Sequence, residues 1–408
     1  MSEVARQALP SDQDASGRTL GEAEMAAVRA AIESGVLTST RGPWVAALEQ
    51  RFAEILGVRH VVATSSGTAA IHAAIAAIDP EPGDEVITTP ITDMGAIAPI
   101  IYQSAIPVFA DVDPRTGNVT AESIESRISD RTRAVIATHL FGNPADMPAI
   151  KRLASEHGLP VVEDCCQAYL GRSQGRLVGT LGAVACFSLQ QGKHVTTGEG
   201  GIVVTDDDAL GRRIRMFVNK AWPYGEHDPD HEFLALNSRM SELQGAVGKA
   251  QLDKLEQGVA ARVRTARRLT DRLDALDGVD APRVAPGDVH TYWRYPLHVD
   301  AGRFAEGPDG FARELGAHGI VSTPRYVKKP AFQTAVISQQ RTFGNSGFPF
   351  TLARPDAVDY APARFPGTFE FLSSVLVLPW NERLRDDDVD HIGDRIEDVA
   401  LTSVGTAS

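Results

Sequence analysis

One lysine, Lys193, stands in a segment that is unusual for a solvated surface charge. It follows the apolar run Phe187–Leu189 and precedes a glycine-rich turn over Gly198–Gly201, in the sequence FSLQQGKHVTTGEGG. Removing a lysine from water lowers its pKa, and a neutral amine can attack a carbonyl carbon to form a Schiff base. A lone buried lysine is more often only salt-bridged, so other residues must support this interpretation.

A second group of residues is suited to binding phosphate. The run SSGT at 65–68 lies between a predicted strand and a predicted helix over Ala69–Ile78. A small-residue turn that opens a helix exposes backbone N–H groups and the positive end of the helix dipole, and the hydroxyls of Ser66 and Thr68 add donors. Ser and Thr are also common helix caps, so the turn alone does not establish an anion site.

An acid at the end of a buried strand is the third element. Asp164 ends the run Val161–Asp164, and a buried carboxylate without a partner is costly. The protonated ring nitrogen of pyridoxal phosphate (PLP) is one such partner, and this pairing makes the ring an electron sink. Gln167 is three residues further on, within reach of the ring hydroxyl, and Ser188 is a further candidate for the phosphate. The order of turn, acid and lysine predicts a PLP site, with a helix-capping role for Asp164 as the alternative.

The chain around these groups alternates between short apolar runs and helical segments. This alternation predicts an α/β fold with βαβ units and a mostly parallel sheet of seven strands. Ligands of such sheets bind outside the carboxyl ends of the strands, which is where the polar groups above are placed. The predicted strands are His60–Ala63, Glu85–Thr88, Pro107–Ala110, Ala134–His139, Pro160–Glu163, Val184–Ser188 and Gly201–Thr205.

The chain is predicted to have three parts: a flexible N-terminal tail over 1–17, a large cofactor-binding domain over 18–262 and a smaller C-terminal α/β domain over 263–408. A long helix over Met240–Leu276 is expected to link the two domains. The smaller domain has strand signals at Tyr292–Val299 and Ser373–Leu378. Residues 338–366 are rich in Gly, Pro and aromatic residues, which favours an irregular loop.

The composition is typical of a cytoplasmic globular protein. Its 408 residues include 53 acidic and 40 basic ones, for a net charge of −13, and no long basic run is present, which disfavours nucleic-acid binding. Cys165, Cys166 and Cys186 provide neither a disulfide framework nor a metal-ligand spacing. No apolar run reaches 18 residues and no signal peptide pattern opens the chain, so no membrane association is expected.

Together these motifs resemble those of the DegT/DnrJ/StrS family of sugar aminotransferases, which are fold-type I PLP enzymes. The likeness covers nearly the whole chain, from about residue 18 to residue 400. The matching stretches are SSGTAA at 65–70, PGDEVI at 82–87, EDCCQA at 163–168, FS at 187–188 with Lys193, GEGG at 198–201, NSRM at 237–240 and LP at 378–379. So many stretches in one order make the resemblance specific.

The resemblance implies roles for the residues around the cofactor ring. Lys193 would form the Schiff base with the cofactor aldehyde and then carry the proton in the reaction. Asp164 would pair with the ring nitrogen, and Gln167 would contact the ring hydroxyl. An amino acid, either glutamate or glutamine, would give its amino group to a keto sugar or keto cyclitol in the biosynthesis of a sugar, a secondary metabolite or an antibiotic.

The resemblance also implies how the phosphate is held. Gly67, Thr68 and Ser188 would bind it within one chain. Asn237 would reach the phosphate of the neighbouring subunit, so that two chains of a homodimer would share each active site.

Contacts to the substrate are predicted in two places. Arg325 and Tyr326, in the run TPRY at 323–326, resemble the segment of the smaller domain that faces the site in this family. Trp222, Tyr224 and His227 lie on a loop that could cover the site. Surface or packing roles are the alternative for each of these residues.

The chain departs from the family pattern after Pro90. The family usually has an aromatic residue that stacks on the cofactor ring, whereas Asp93 stands at this position here. One interpretation is that Asp93 caps a helix and Met94 covers the ring. The other is that Asp93 makes a polar contact to the cofactor or the substrate.

The sequence leaves three alternatives to an aminotransferase to be weighed against these residues. A dehydratase branch of the family has a histidine in place of the lysine, so Lys193 argues against it. An aminohydroxybenzoate synthase branch aromatises its substrate and stays possible. A non-catalytic regulatory relative is disfavoured because Lys193, Asp164, Gln167 and Ser188 are all present.

Overall fold

The computed structural model describes residues 8–403 and has a large β-sheet at its centre. The strands before residue 206 are β1 (His60–Thr64), β2 (Glu85–Thr88), β3 (Ile106–Phe109), β4 (Thr132–Thr138), β5 (Val161–Asp164), β6 (Arg172–Ser173), β7 (Arg176–Leu177), β8 (Val184–Ser188) and β9 (Gly201–Thr205). Seven of them form one sheet in the order β1-β9-β8-β5-β4-β2-β3, and β6 pairs with β7 alone. Only β9 runs antiparallel to its neighbours, so the predicted mostly parallel sheet of seven strands is confirmed.

Helices connect these strands and follow them in the second half of the chain. The α-helices of the described residues are α1 (Glu22–Glu33), α2 (Trp44–Leu56), α3 (Gly67–Ile78), α4 (Ala98–Tyr102), α5 (Ala121–Glu125), α6 (Met147–Glu156), α7 (Asp208–Val218), α8 (Glu242–Leu252), α9 (Leu255–Leu273), α10 (Gly307–Ala317), α11 (Ala335–Ser338), α12 (Pro366–Ser374) and α13 (Asp386–Ser403).

Helices cover both faces of the large sheet. Successive residues of a strand point to opposite faces, so neighbouring residues pack against different helices. Val62 and Val203 face α3, whose alanines and isoleucines are almost all buried. Ala63 and Ile202 face the other side, where α2 packs. This burial explains why the strands appear in the sequence as continuous apolar runs.

A smaller antiparallel sheet lies in the C-terminal part. Its strands are β10 (Val279–Asp280), β11 (Arg294–Val299), β12 (Thr323–Pro324) and β13 (Val375–Pro379), in the order β10-β11-β13-β12. The strand signals at Tyr292–Val299 and Ser373–Leu378 therefore marked β11 and β13 to within two residues. The sheet packs with α9, α10 and α13 around Tyr295, Leu297 and Trp380.

The predicted long helix over Met240–Leu276 is wrong, because two helices, α8 and α9, occupy this range. They are separated at Asp253 and Lys254. The break allows α8 to pack on α1 and α2, while α9 continues towards α13. Along α9, Val259 packs with the large sheet and Ala266 packs with the smaller one. The division of the chain at 262 and 263 stays a prediction.

Residues 8–17 pack against the protein. Asp12 is 3% exposed, and its Oδ2 lies 2.5 Å from Nη1 of Arg294. The side chain of Asn381 donates a hydrogen bond of 2.7 Å to the carbonyl of Pro10. Asp12 supplies the partner that the half-buried Arg294 needs, and the flexibility of the predicted tail stays a prediction. Residues 1–7 of the predicted tail lie outside the described residues.

Residues 338–366 are irregular, as predicted, but they are packed. They contain short 3₁₀ turns at Phe350–Leu352, Pro355–Val358 and Pro362–Arg364. Arg354 bonds to the buried carboxylate of Glu85 at 2.8 Å, which ties this segment to β2. None of the helices in 8–403 combines the length and apolarity that crossing a membrane requires. The cytoplasmic location stays a prediction.

Candidate active site

A cavity of about 380 Å³ opens at the carboxyl ends of β1, β5 and β8. The topology explains its place, since these three strands are parallel and their carboxyl ends share one edge of the sheet. Nine residues singled out from the sequence line it: Ser66, Gly67, Thr68, Asp93, Asp164, Gln167, Ser188, Lys193 and Tyr326. Five of these residues lie at or just after the strand ends and are called the strand-end wall below: Ser66, Gly67, Thr68, Asp164 and Ser188.

The turn between β1 and α3 begins the strand-end wall. Ser66 caps α3, with its Oγ accepting a hydrogen bond of 3.1 Å from the amide of Ala69. A Cβ on Gly67 would lie only 2.7 Å from Cβ of Ser188. Glycine is thus required for the start of α3 to approach the end of β8, and the first amides of this helix remain available to an anion.

Lys193 lies in the loop between β8 and β9. Its amide bonds to the carbonyl of Gln190 at 2.9 Å, and the half-buried side chain reaches into the cavity. Burial lowers the pKa of the Lys193 amine, while Cys166 and Asp164 act in the opposite direction. A lowered pKa increases the fraction of neutral, nucleophilic amine, which is the property that Schiff-base chemistry requires.

Asp164 and Gln167 follow β5. Asp164 is 5% exposed, and its Oδ1 accepts a hydrogen bond of 3.1 Å from the amide of Cys166. Gln167 accepts a bond of 2.7 Å from the amide of Phe141 and donates one of 3.4 Å to the hydroxyl of Tyr326. Both side chains are therefore held by the backbone while they line the cavity.

Glu163, next to Asp164, has a structural role. Burial alone would raise its pKa, but hydrogen bonds from His139 and from the backbone lower the pKa instead. The backbone donors are the amides of Gly179, Leu181 and Gly182, at 2.9, 2.6 and 2.6 Å. His139, Glu163 and Cys165 have potential metal ligands within 4.8 Å of one another. Because Glu163 accepts three amide bonds from residues 179–182, we interpret this cluster as an anchor for that loop.

Asp93 and Met94 are placed differently from each other. Asp93 caps a short 3₁₀ turn over Met94–Ala96, with its Oδ1 accepting a bond of 2.7 Å from the amide of Gly95, and it lines the cavity. Met94 does not line the cavity and packs among aromatic side chains such as Phe332. The 3₁₀ turn directs the Met94 side chain into that aromatic cluster, and the covering of the ring by Met94 stays a prediction.

Of the two predicted substrate residues in the C-terminal part, only Tyr326 reaches the cavity. Burial raises the pKa of Tyr326 to about 12, so its hydroxyl is protonated near neutral pH. Arg325 bonds instead to Asp309, with Nη1 and Oδ1 2.8 Å apart, and is absent from the lining of this cavity. Asp309 thus holds the guanidinium group of Arg325, and the predicted substrate contact of this residue stays a prediction.

Trp222 and Tyr224 line another cavity, of about 290 Å³, together with Glu49 and Arg239. They do not line the Lys193 cavity of the same chain, and their contact to substrate stays a prediction. Residues of α7 and of the edge strand β1 also line this second cavity. His227, on the same loop, is exposed and lines neither cavity.

Asn237 also lies away from the Lys193 cavity of its own chain. It is exposed, and its Oδ1 accepts a bond of 3.2 Å from the amide of Arg239. Its predicted contact to a neighbouring subunit stays a prediction.

Sequence reasoning missed several residues of the cavity. The side chains of Thr92, Gln190, Glu199 and Trp293 also line it. Trp293 directly precedes β11, a hundred residues after Lys193, and no local pattern indicates that it would contact the large sheet. Trp293 and Tyr326 together are called the aromatic wall below.

The cavity residues fit PLP in their chemistry. The start of α3 with Gly67 and Ser188 offers donors to a phosphate, Lys193 offers an amine to an aldehyde, and Asp164 offers a carboxylate to a ring nitrogen. The aromatic wall provides apolar faces beside them. No residue of 338–366 is among the described residues that line this cavity.

Comparisons with known proteins agree with this arrangement. The family described as DegT/DnrJ/EryC1/StrS aminotransferase matches residues 18–397. A GDP-perosamine synthase of Caulobacter vibrioides is 35% identical over 291 residues, which are 70% of this chain and 77% of that protein. The spore coat polysaccharide biosynthesis protein SpsC of Bacillus subtilis is 31% identical over 396 residues, which are 93% of this chain and 95% of that protein.

Solved structures show the same likeness. The aminotransferase TlmJ from Streptoalloteichus hindustanus has a TM-score of 0.81 and 30% sequence identity, over 96% of this chain and 99% of that chain. The predicted fold class, that of fold-type I PLP-dependent transferases, is confirmed. Since the family match covers almost the whole sequence, this chain belongs to the DegT/DnrJ/EryC1/StrS aminotransferase family.

Proposed function

We propose that this protein uses PLP to transfer an amino group from glutamate or glutamine to a keto sugar or a keto cyclitol. The observation that carries the proposal is the shared cavity of Lys193, Asp164 and the start of α3. Relatives named as a GDP-perosamine synthase and as a UDP-N-acetyl-3-dehydro-alpha-D-glucosamine 3-aminotransferase support a sugar as the acceptor. Such a reaction belongs to the biosynthesis of an amino sugar, of the kind found in cell-surface polysaccharides and antibiotics.

Each part of the strand-end wall has a task in this proposal. Bound PLP supplies an aldehyde and an electron-withdrawing ring. Asp164 would keep the ring nitrogen protonated, and the amides of Gly67 and Thr68 with the hydroxyl of Ser188 would hold the phosphate. The Lys193 amine would bind the aldehyde and, when free, would move a proton between the amino donor and the cofactor.

Gln167 and Asp93 complete the polar lining of the cavity. Gln167 is oriented by Phe141 and Tyr326, so its amide group presents a fixed edge to the ring hydroxyl. Asp93 is exposed in the cavity, where its carboxylate is available to hydroxyl groups of a polyol substrate. This supports the interpretation of Asp93 as a polar contact as well as a cap.

The proposal includes a homodimer with shared active sites. Leu234 and Leu236 are 94% and 68% exposed and immediately precede Asn237. Exposed leucines on an extended segment are costly in water, and a second copy of this chain would cover them while Asn237 reaches its cavity. Sedimentation velocity of the wild type and of a Leu234→Asp, Leu236→Asp double variant tests this. The wild type should sediment as a dimer and the variant as a monomer with lower PLP affinity.

A labelling experiment tests the role of Lys193. Holoenzyme is treated with borohydride, which fixes the bond between an amine and the PLP aldehyde, and the modified peptide is identified by mass spectrometry. We expect the adduct on Lys193 and a visible absorption band that is lost in Lys193→Ala. An adduct on another lysine, or full transamination by Lys193→Ala, would refute the assignment.

The acceptor is identified with the amine form of the holoenzyme. Nucleotide-linked keto sugars and keto cyclitols are screened for conversion of this form back to the aldehyde form, and the products are analysed by mass spectrometry. A product with the ketone oxygen replaced by an amino group supports the proposal. An aromatised product would instead indicate a reaction like that of aminohydroxybenzoate synthase.

A further inference from the structure

Trp293 contacts Lys193 and its preceding residue at the same time. The indole Nε1 donates a hydrogen bond of 2.7 Å to the carbonyl of Gly192, which forms the peptide bond to Lys193. The ring also lies against the amine, with Nζ of Lys193 3.9 Å from the ring centroid. A protonated amine is attracted to an aromatic face at this distance. One buried side chain therefore holds both the backbone and the tip of Lys193.

Neighbouring groups from different parts of the chain fix the ring of Trp293. Tyr326 meets it edge-on at 5.8 Å between centroids, and Phe141 stacks with it at 6.5 Å. The guanidinium carbon of Arg294 lies 4.6 Å from the ring centroid, and Asp12 binds Arg294 in turn. A ring held by these contacts has little freedom to move, so the place where it receives the Lys193 amine is defined.

We propose that Trp293 is a positioning residue that holds the Lys193 amine in place whenever this amine is not bonded to the cofactor. The inference rests on the proposed function, in which Lys193 must carry a proton between two carbon atoms after its release. A lysine side chain with four flexible bonds loses much entropy when it is confined. A fixed aromatic face confines it before the reaction step, and a small displacement of a proton carrier slows proton transfer.

The charged and titratable groups that face the amine come from four elements. They are Asp164 at the end of β5, Cys166 in the following loop, Asp93 in the loop after β2 and Arg294 at the start of β11. The aromatic face acts with Asp164 and Asp93 in favouring the protonated amine. If the face is removed while the site stays apolar, the pKa of Lys193 should fall.

The test is performed on the apoenzyme, so it does not depend on turnover. Lysines are acetylated to a trace extent with acetic anhydride at a series of pH values, and the products are measured by peptide mass spectrometry. This gives, for each lysine, the pH at which half of the amine is deprotonated, which is called its midpoint below. The exposed Lys328 and Lys329 serve as internal references. Trp293→Leu and Trp293→Met remove the aromatic face, and Trp293→Phe keeps a face but loses the bond to Gly192. Two non-aromatic variants are used in case one of them fails to fold.

We expect the Lys193 midpoint in the Leu or Met variant to lie about one pH unit below that of the wild type, which is the size of a desolvated cation–π contact. The Phe variant should stay within about half a unit, and the reference lysines should not change. In the holoenzymes, kcat of the non-aromatic variants should fall about tenfold or more while KM for the amino donor changes less than about twofold.

Equal Lys193 midpoints in the Leu, Met and Phe variants would overturn the inference. So would a loss of activity in which KM rises and kcat is unchanged, since this indicates a binding role. A failure of the proposed function would appear differently, as borohydride labelling away from Lys193, and would leave the midpoints in the apoenzyme unaffected.

Discussion

The strand-end wall and the aromatic wall enclose the same cavity but are built in different ways. Ser66, Asp164 and Ser188 lie at or just after the ends of parallel strands, and backbone contacts within the large sheet fix them. Trp293 and Tyr326 come from the C-terminal part and are fixed by long-range side-chain contacts. The first wall carries the groups suited to PLP, whereas the second shapes the space around Lys193. Variants of the two walls should therefore differ in the size and kind of their effects.

The largest effect is expected for Asp164→Asn in the strand-end wall. The amide cannot keep a ring nitrogen protonated, so kcat should fall about 100- to 1000-fold, the scale of losing one preorganised electrostatic contact. Steady-state kinetics of the holoenzyme measure this, with PLP content determined for each sample. A variant that retains more than half of the wild-type kcat would show that Asp164 is only a structural cap.

Gly67→Ala should weaken PLP binding at least about tenfold. The added Cβ would lie 2.7 Å from Cβ of Ser188, so α3 must move away from β8, and the free energy of unfolding should decrease by about 1–3 kcal/mol. Gly316→Ala is the matched control, since a Cβ there has no neighbour within 4 Å. PLP titrations and urea denaturation of both variants measure the difference. Equal PLP affinities would contradict the close approach of α3 and β8.

Asp12→Asn tests the long-range support of the aromatic wall. Removing the charge leaves Arg294 half-buried with a weaker partner, and the free energy of unfolding should decrease by about 1–3 kcal/mol. Asp14→Asn is the control on the same segment, because Asp14 is exposed and bonds only locally to Ser16, and its effect should stay within about 0.5 kcal/mol. Urea denaturation measures the stability of both variants, and identical midpoints would show that the charge of Asp12 contributes nothing to stability.

The smallest effect is expected for Tyr326→Phe. The ring stays in the aromatic wall, and only the bond of 3.4 Å from Gln167 is lost. Loss of one neutral hydrogen bond predicts a decrease in kcat/KM of less than about tenfold. A decrease as large as that of Asp164→Asn would place the Tyr326 hydroxyl among the reacting groups and remove the distinction between the two walls.

The sequence predicted the strand-end wall because local patterns determine it. Apolar runs locate β1, β5 and β8, their parallel order brings their ends together, and Asp164 and Ser188 are the last residues of two of them. Met94, Arg325 and Trp222 do not line the Lys193 cavity of their own chain, because their orientation depends on partners distant in the chain. Arg325 binds Asp309, for example, and nothing in the run at 323–326 indicates this. Trp293 was missed for the same reason.

The anchored segment over 8–17 has a practical consequence for handling the protein. Pro10 and Asp12 are bound to Asn381 and Arg294, so the beginning of the described chain sits close to Lys193 and its surroundings. Removing residues 8–17 would take these partners away from Asn381 and from Arg294, which lies against Trp293. A shortened version of the protein should therefore keep this segment.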